Sequence, residues 1–235
     1  MDECIGLLNA PDERAWFESL VGTAGKLGYN QVLYGLKPNK QARNDEAVIL
    51  STFPGEWRHH YDSQGYATID PTVAHSFTSS LPLRWHRALY STQAAQAFAE
   101  EAKGAGLSHG ITLPIHGPQG QVGMLSLSCD ALPEREYEQL FNSGIGQLAM
   151  LRDYAFTSAV RHLQPAKTPA PHLTTREREI LHWAWAEKTT WEIGKILSLS
   201  GPTVEFHFKN IRRKLNVNSR RLAVARAIQL DLLNV

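Results

Sequence analysis

Cysteine is nearly absent from this sequence. Cys4 and Cys129 are the only two, far apart in the chain. They offer no disulfide framework, which excludes a stapled secreted scaffold and makes a reducing cytoplasm the expected setting. Long apolar runs are lacking as well. No stretch approaches the roughly 20 apolar residues of a membrane-crossing helix. The opening MDECIGLLNAPDE carries neither the basic segment nor the apolar core of a secretory signal. The motifs of common chemistries are also missing. There is no H-E-x-x-H, no H-x-H-x-D-H, no Cys pair at zinc spacing, no G-x-S-x-G elbow and no phosphate loop. His59 and His60 are adjacent, and neighbours on a helix point about 100° apart, so they do not chelate together easily. The expectation is a protein that is not an enzyme, with no metal, no cofactor and no membrane partner.

What is present describes an ordinary globular chain. Hydrophobic residues make up 43% and charged residues 20% of 235 positions, enough for a sizeable core and for one or two domains. The net charge of +1 conceals a division. Residues 166–235 carry 12 Lys and Arg against 6 Asp and Glu, a net +6, whereas residues 1–165 carry 12 against 17, a net −5. A basic domain of that size suits a polyanion, because phosphates neutralised by Lys and Arg release counterions.

The basic part is organised around TTWEIGKILSLSGPTVEFHFKNIRRKL, residues 189–215. Thr189 with Glu192 forms a capping box that starts one helix. Trp191, Ile193, Ile196 and Leu197 are expected on its buried face. Ser198-Leu199-Ser200 breaks the pattern, and Ser200 can cap a second helix with Pro202 in its first turn. Val204, Phe208, Ile211 and Leu215 then recur at spacings of 4, 3 and 4 residues and form an inward stripe. Thr203, Glu205, Phe206, Lys209, Asn210 and Arg213 lie opposite. Two short helices joined by a small polar turn, the second exposing donors and cations, form the helix-turn-helix pattern. A helix capped at Thr174 or Thr175 precedes the pair and another from Ser219 follows it. This predicts an all-α four-helix domain over residues 173–235.

The first 162 residues read differently. Residues 12–27 are expected to be helical, with Asp12 as cap. Strands are expected at Tyr29–Leu36, Ala47–Thr52, Gly110–His116 and Gln121–Cys129. HGPQG, residues 116–120, reads as a hairpin turn, and short connections make the strands antiparallel neighbours. A short helix is expected over residues 53–64. Asp70-Pro71 starts another, with a cap followed by proline at the first helical position. An alanine-rich helix from Ser91 and a long helix from Pro133 to about Arg161 complete the set. The predicted class is α/β, an α-β-α sandwich on an antiparallel sheet. The proline-rich LQPAKTPAP places a linker at residues 163–172. A sheet with helices over it often encloses a pocket. By themselves, however, Trp57, Tyr61, Asp70, Thr72, Trp85 and Ser126 identify no ligand: the aromatics read equally as core and Asp70 as a helix cap.

Taken together, WRHHYDSQGYATIDPT, LRWHRALY, SHGITLPIHGPQGQVGMLSLS and TTREREILHWA with KTTWEIGKILSLS and TVEFHFKNIRRKL resemble, in order and over residues 10–232, the LuxR-type quorum-sensing regulators. The last segments alone are shared with response regulators. The set Trp57, Tyr61, Asp70-Pro71, Trp85 and Gly110 is more selective and points to receptors for acyl-homoserine lactones. The resemblance implies that Trp57 donates to the lactone carbonyl, Asp70 accepts from the ligand amide and Ser126 donates to the acyl carbonyl. Tyr61 and Trp85 would wall the head-group, with Thr72 near the start of the acyl chain.

Two positions depart from the family's pattern. Phe53 stands where a tyrosine hydroxyl usually helps with the acyl carbonyl, which leaves that task to Ser126; Arg58 adds a donor nearby. Glu187 stands where a glycine usually ends a helix in a left-handed conformation. Met124, beside Ser126, is expected to crowd the chain tunnel.

The implied function is ligand-dependent transcriptional regulation. An N-acyl-homoserine lactone autoinducer favours a homodimer, which binds an inverted-repeat site on double-stranded DNA, with RNA polymerase as a further partner. Thr203 and Lys214 are expected on phosphates, as are the additional cations Arg176 and Lys188. Glu205, Phe206, Lys209 and Asn210 are expected at base edges, with Arg213 also in contact. The rival readings are an orphan receptor of the same fold for another small molecule and a response-regulator-like factor. The short hairpin connections oppose the second of these.

Overall fold

A computed structural model describes residues 2–129, 132–162, 171–230 and 232–233, and for residues 2, 3 and 44 the backbone only. The chain divides into two compact units, Met1–Gln164 and Pro165–Val235. The linker expected at residues 163–172 falls mostly outside the described residues.

The first unit begins with helix α1, Asp2–Leu8, and helix α2, Glu13–Lys26. Asp12 caps α2 by accepting from the backbone N–H of Ala15 at 2.8 Å. Strands β1 (Gln31–Lys37) and β2 (Val48–Ser51) follow. Next come helices α3 (Gly55–Ser63) and α4 (Pro71–Thr78), the short strand β3 (Leu83–Arg84), helix α5 (Gln93–Gly104) and strands β4 (His109–His116) and β5 (Val122–Cys129). Helix α6, Glu134–His162, closes the unit. The sheet has five strands in the order β2-β1-β5-β4-β3, and every pairing is antiparallel.

The sheet is covered on both faces, as its long buried runs in β4 and β5 require. One face packs on α2 and α6 through Trp16, Leu20, Val32, Tyr34, Leu113, Leu125, Leu127, Leu148 and Leu151. Helix α4 packs on the other face, at β4 and β5. Trp57 from α3 with Phe98 and Ala102 from α5 form a second, smaller apolar cluster. This is the α-β-α sandwich expected from the strand and helix patterns.

The sequence pattern misses α1. Its seven residues are too few for an amphipathic period to register. It is held by packing: Leu7 is fully buried against the core that α6 and α2 share. The alanine-rich helix also starts slightly later than expected, because Thr92 rather than Ser91 accepts from Ala95 N–H.

Among the described residues the second unit has four helices: α7 (Thr175–Trp185), α8 (Thr190–Leu197), α9 (Gly201–Leu215) and α10 (Arg220–Gln229). Thr174 with Glu177 and Thr189 with Glu192 both form complete capping boxes. Ser200 caps α9 and Ser219 caps α10. Val204, Phe208, Ile211 and Leu215 are all buried, together with Ile180, Leu181 and Ile193. One expectation fails here. Trp191 is 69% exposed and Ile196 44% exposed, so they do not share the buried face of α8. Ile193 is buried there as expected, Leu197 packs partly buried against the same core, and Gly194 takes the remaining place. A Cβ at Gly194 would lie 2.7 Å from the Leu199 carbonyl oxygen, and this close approach lets the turn fold back on the helix.

A candidate ligand cavity and a candidate DNA-reading helix

A cavity of about 500 Å³ lies among α3, α4, α5 and the outer face of the sheet. All eight ligand-site residues expected from the sequence line it: Phe53, Trp57, Arg58, Tyr61, Asp70, Thr72, Trp85 and Ser126. They come from two helices, α3 and α4, one strand, β5, and the connections that carry Phe53, Asp70 and Trp85, and the fold brings them to one place. Met124 lines it too.

Asp70 sits at the centre of the polar end. It is the cap of α4, and Pro71 fixes the first helical turn after it. Its Oδ1 accepts from Thr72 N–H at 2.8 Å and from Thr72 Oγ1 at 2.7 Å. Its Oδ2 accepts from the Tyr61 hydroxyl at 3.0 Å. A carboxylate oxygen takes two donors, so Oδ2 has room for one more. Burial raises the Asp70 pKa above the ordinary carboxylate range, against the pull of the bonds from Thr72 and Tyr61. Burial, and then the neighbouring Asp70 charge, raise that of Tyr61 as well. Tyr61 therefore stays a neutral donor.

Trp57 is buried on α3, its ring tilted against Phe98 and Tyr66 and edge-on to Tyr61. Among the described residues its indole N–H has no hydrogen-bond partner. Trp85 lies across Gly110, where a Cβ would come within 2.4 Å of the ring. Its Nε1–H donates to Thr112 Oγ1 at 2.9 Å, and Thr112 Oγ1 is 2.9 Å from Ser126 Oγ. Arg58 pairs with Asp62 at 2.7 Å and stacks over the Tyr61 ring at 4.9 Å. Phe53 packs on the aromatic cluster and brings no polar atom to the cavity. The arrangement is an apolar chamber with a donor at Trp57, an acceptor at Asp70 and a hydroxyl at Ser126.

Sequence reasoning missed Thr112, Phe98 and Tyr90 as parts of this site. Thr112 was legible in principle, since β4 and β5 pair in a register that sets it directly across from Ser126. Phe98 and Tyr90 lie in segments whose approach to the cavity only the tertiary fold reveals.

In the second unit α8 and α9 make the helix-turn-helix. Ser198 closes α8 in the left-handed conformation, at φ 56°, before Ser200 opens α9. Phe206 projects from α9 and is 61% exposed, and Glu205, Lys209 and Arg213 are exposed with it. Glu205 accepts from Thr190 Oγ1 at 2.7 Å, and Thr203 Oγ1 is 2.7 Å from Ser200 Oγ, so both are oriented by neighbours. Asn210 is half-buried on the same helix.

Lys214 is placed otherwise. Its Nζ donates to the buried Glu177 at 2.7 Å and to the His172 carbonyl at 3.0 Å. Burial works against the Glu177 carboxylate, but the bonds from Lys214 and Thr174 outweigh it and hold its pKa below the usual range. Lys214 thus ties α9 to the start of α7. Arg176 and Lys188 also have acidic neighbours, Glu179 at 2.8 Å and Glu192 at 3.9 Å. Glu187, in the α7–α8 turn, takes φ 57°, the left-handed region where a side chain is strained. Among the described residues no group of three His, Cys, Asp or Glu side chains is arranged to hold a metal ion, and no helix is long and apolar enough to cross a membrane.

Residues 12–159 match the family described as autoinducer binding domain, and residues 171–227 match that described as bacterial regulatory proteins, luxR family. The chain is 33% identical over 209 residues to the transcriptional activator protein VanR of Vibrio anguillarum, covering 89% of this chain and 87% of that one. It is 33% identical over 224 residues to the transcriptional activator protein AnoR of Acinetobacter nosocomialis, covering 94% and 93%. Among solved structures, SdiA of Escherichia coli superposes with a TM-score of 0.78 at 25% identity, covering 98% of this chain and 96% of that one.

Proposed function

The chain belongs to the LuxR family of bacterial regulatory proteins, with an autoinducer-binding domain ahead of a DNA-binding helix-turn-helix, and from that premise we propose that it is a quorum-sensing transcription factor whose autoinducer is an N-acyl-homoserine lactone. The observation that carries the lactone is the polar end of the cavity. Trp57 holds an unused N–H, and Asp70 Oδ2 has room for one further donor beside Tyr61. An acyl-homoserine lactone offers a ring carbonyl to the first and an amide N–H to the second. Its acyl carbonyl meets Ser126, with Arg58 as a further donor near that end. Tyr61 and Trp85 flank the ring, and Thr72 and the apolar Phe53 flank the start of the chain.

The energetics favour such a ligand. Each buried polar group left unpaired costs about 1–3 kcal/mol, so a cavity with a donor and an acceptor in place selects an amide that satisfies both. Each methylene buried beyond them contributes about 0.8 kcal/mol.

In this reading the domains are residues 1–162 and 173–235, joined by residues 163–172. Bound lactone stabilises the folded form by mass action and favours a homodimer. The dimer presents two α9 helices to an inverted repeat with half-sites about 10 bp apart. Phe206, Lys209, Asn210 and Glu205 face base edges, while Thr203 and Arg213 meet the backbone. Lys214 stays on Glu177. RNA polymerase is the partner through which bound DNA is read out.

The test is mass spectrometry of the organic extract from full-length protein expressed with a panel of lactones. Wild type is expected to retain one or more of them. Trp57→Phe and Asp70→Asn are each expected to lower retention about tenfold or more, the value of one good hydrogen bond to a buried polar group. Equal retention by wild type and both variants overturns the assignment.

A further inference from the structure

Thr112 is fully buried on β4, directly across from Ser126 on β5. Its hydroxyl has two partners among the described residues, Trp85 Nε1 at 2.9 Å and Ser126 Oγ at 2.9 Å. An indole N–H is a donor only, so Thr112 Oγ1 must accept from Trp85. That leaves the direction of the Thr112–Ser126 bond. If Ser126 donated, the Thr112 proton would be buried without an acceptor, at 0% exposure and away from water. The favourable arrangement therefore has Thr112 donating to Ser126. The Ser126 proton is then unspent, on a side chain that lines the cavity.

We propose that Thr112 is a positioning residue that makes Ser126 an obligate donor, through a directed chain running Trp85 Nε1–H to Thr112 Oγ1, Thr112 O–H to Ser126 Oγ, and Ser126 O–H to the acyl carbonyl of the ligand. The inference rests on the lactone reading above. Trp85 then has two tasks: its ring covers Gly110 beside the head-group, and its N–H sets the polarity of the two hydroxyls behind the ligand. The chain selects a ligand with an acceptor at that point, because a donor there would meet another donor. It matters most in this protein because Phe53 supplies no hydroxyl to share the task.

The test uses purified full-length protein and whichever lactone from butanoyl to dodecanoyl wild type binds most tightly, with dissociation constants measured by displacement. Thr112→Val keeps the shape of the side chain but removes the hydroxyl, and it is expected to weaken binding about tenfold. Thr112→Ser, which keeps the hydroxyl, is expected to restore wild-type affinity. In a Ser126→Ala background, Thr112→Val is expected to cause a clearly smaller loss than in wild type, because the part of its effect that passes through Ser126 is gone and only the unpaired Trp85 N–H remains. Unchanged affinity in Thr112→Val, failure of Thr112→Ser to rescue, or an undiminished loss in the Ser126→Ala background each overturns the proposal while leaving the lactone reading intact. Wild type that binds no lactone at all overturns both.

Discussion

The hydroxyl of Tyr61 donates to Oδ2 of Asp70 across 3.0 Å, so the carboxylate that starts α4 is also the one the cavity wall holds ready. Asp70 has a raised pKa because it is buried, and the Tyr61 bond opposes that rise. Lactone affinity is therefore expected to fall as pH drops through the raised Asp70 pKa, since the protonated acid is a poorer acceptor. The ligand-free domain behaves with the opposite sign. A folded pKa above the unfolded value adds stability at low pH that is lost as pH rises through the folded pKa. Tyr61→Phe is expected to move both inflections to higher pH and Asp70→Asn to abolish them, in lactone-binding and thermal-unfolding profiles.

Gly110→Ala is expected to abolish or sharply weaken lactone retention while the sheet still forms. The new Cβ would lie 2.4 Å from the Trp85 ring, which must then leave its place over β4. Retention by mass spectrometry, with far-ultraviolet circular dichroism as the folding control, reads the outcome.

Glu187→Gly is expected to stabilise the DNA-binding domain. The left-handed conformation costs a non-glycine residue about 1–2 kcal/mol, of which glycine returns part through its freer unfolded chain. A net gain of roughly 0.5–1 kcal/mol is expected in thermal or urea unfolding of the full chain, followed by a tryptophan signal from Trp183 or Trp185.

Lys214→Met is expected to destabilise that domain by about 2–4 kcal/mol, because it leaves the Glu177 carboxylate buried without its cation. The folded pKa of Glu177 is depressed, so the stability it contributes is present above its unfolded pKa and is lost as pH falls through the folded one. The same unfolding assay across acidic pH checks this: the variant is expected to lose the acid-dependent part of the curve.

Much of the molecule was legible in its residues, for local reasons. Asp12, Asp70, Thr174, Thr189, Ser200 and Ser219 are caps, and a cap acts within three residues of itself, so six helix starts could be read directly. The stripe from Val204 to Leu215 was equally plain, because one long helix packs one face. Trp191 and Ile196 misled: on a two-turn helix, apolar residues do not define a single side, and Gly194 rather than a large residue faces the turn. The cavity residues followed from a resemblance more than from chemistry, since a capping Asp70 and a ring pair such as Trp57 and Tyr61 also occur in ligandless cores. The engagement of Lys214 depends on interhelical packing, which no single segment encodes, whereas Thr112 follows once the β4–β5 register is set.

A lactone bound in the first domain is expected to control the grip of the second on DNA. The most direct measurement is the dissociation constant of the full-length protein for an inverted-repeat duplex, selected from a random pool, at one fixed salt concentration with and without the retained lactone. Binding at least tenfold tighter with lactone, and unimproved by lactone in Asp70→Asn, is the expected result. Equal affinity in both conditions would mean that the lactone does not control DNA binding.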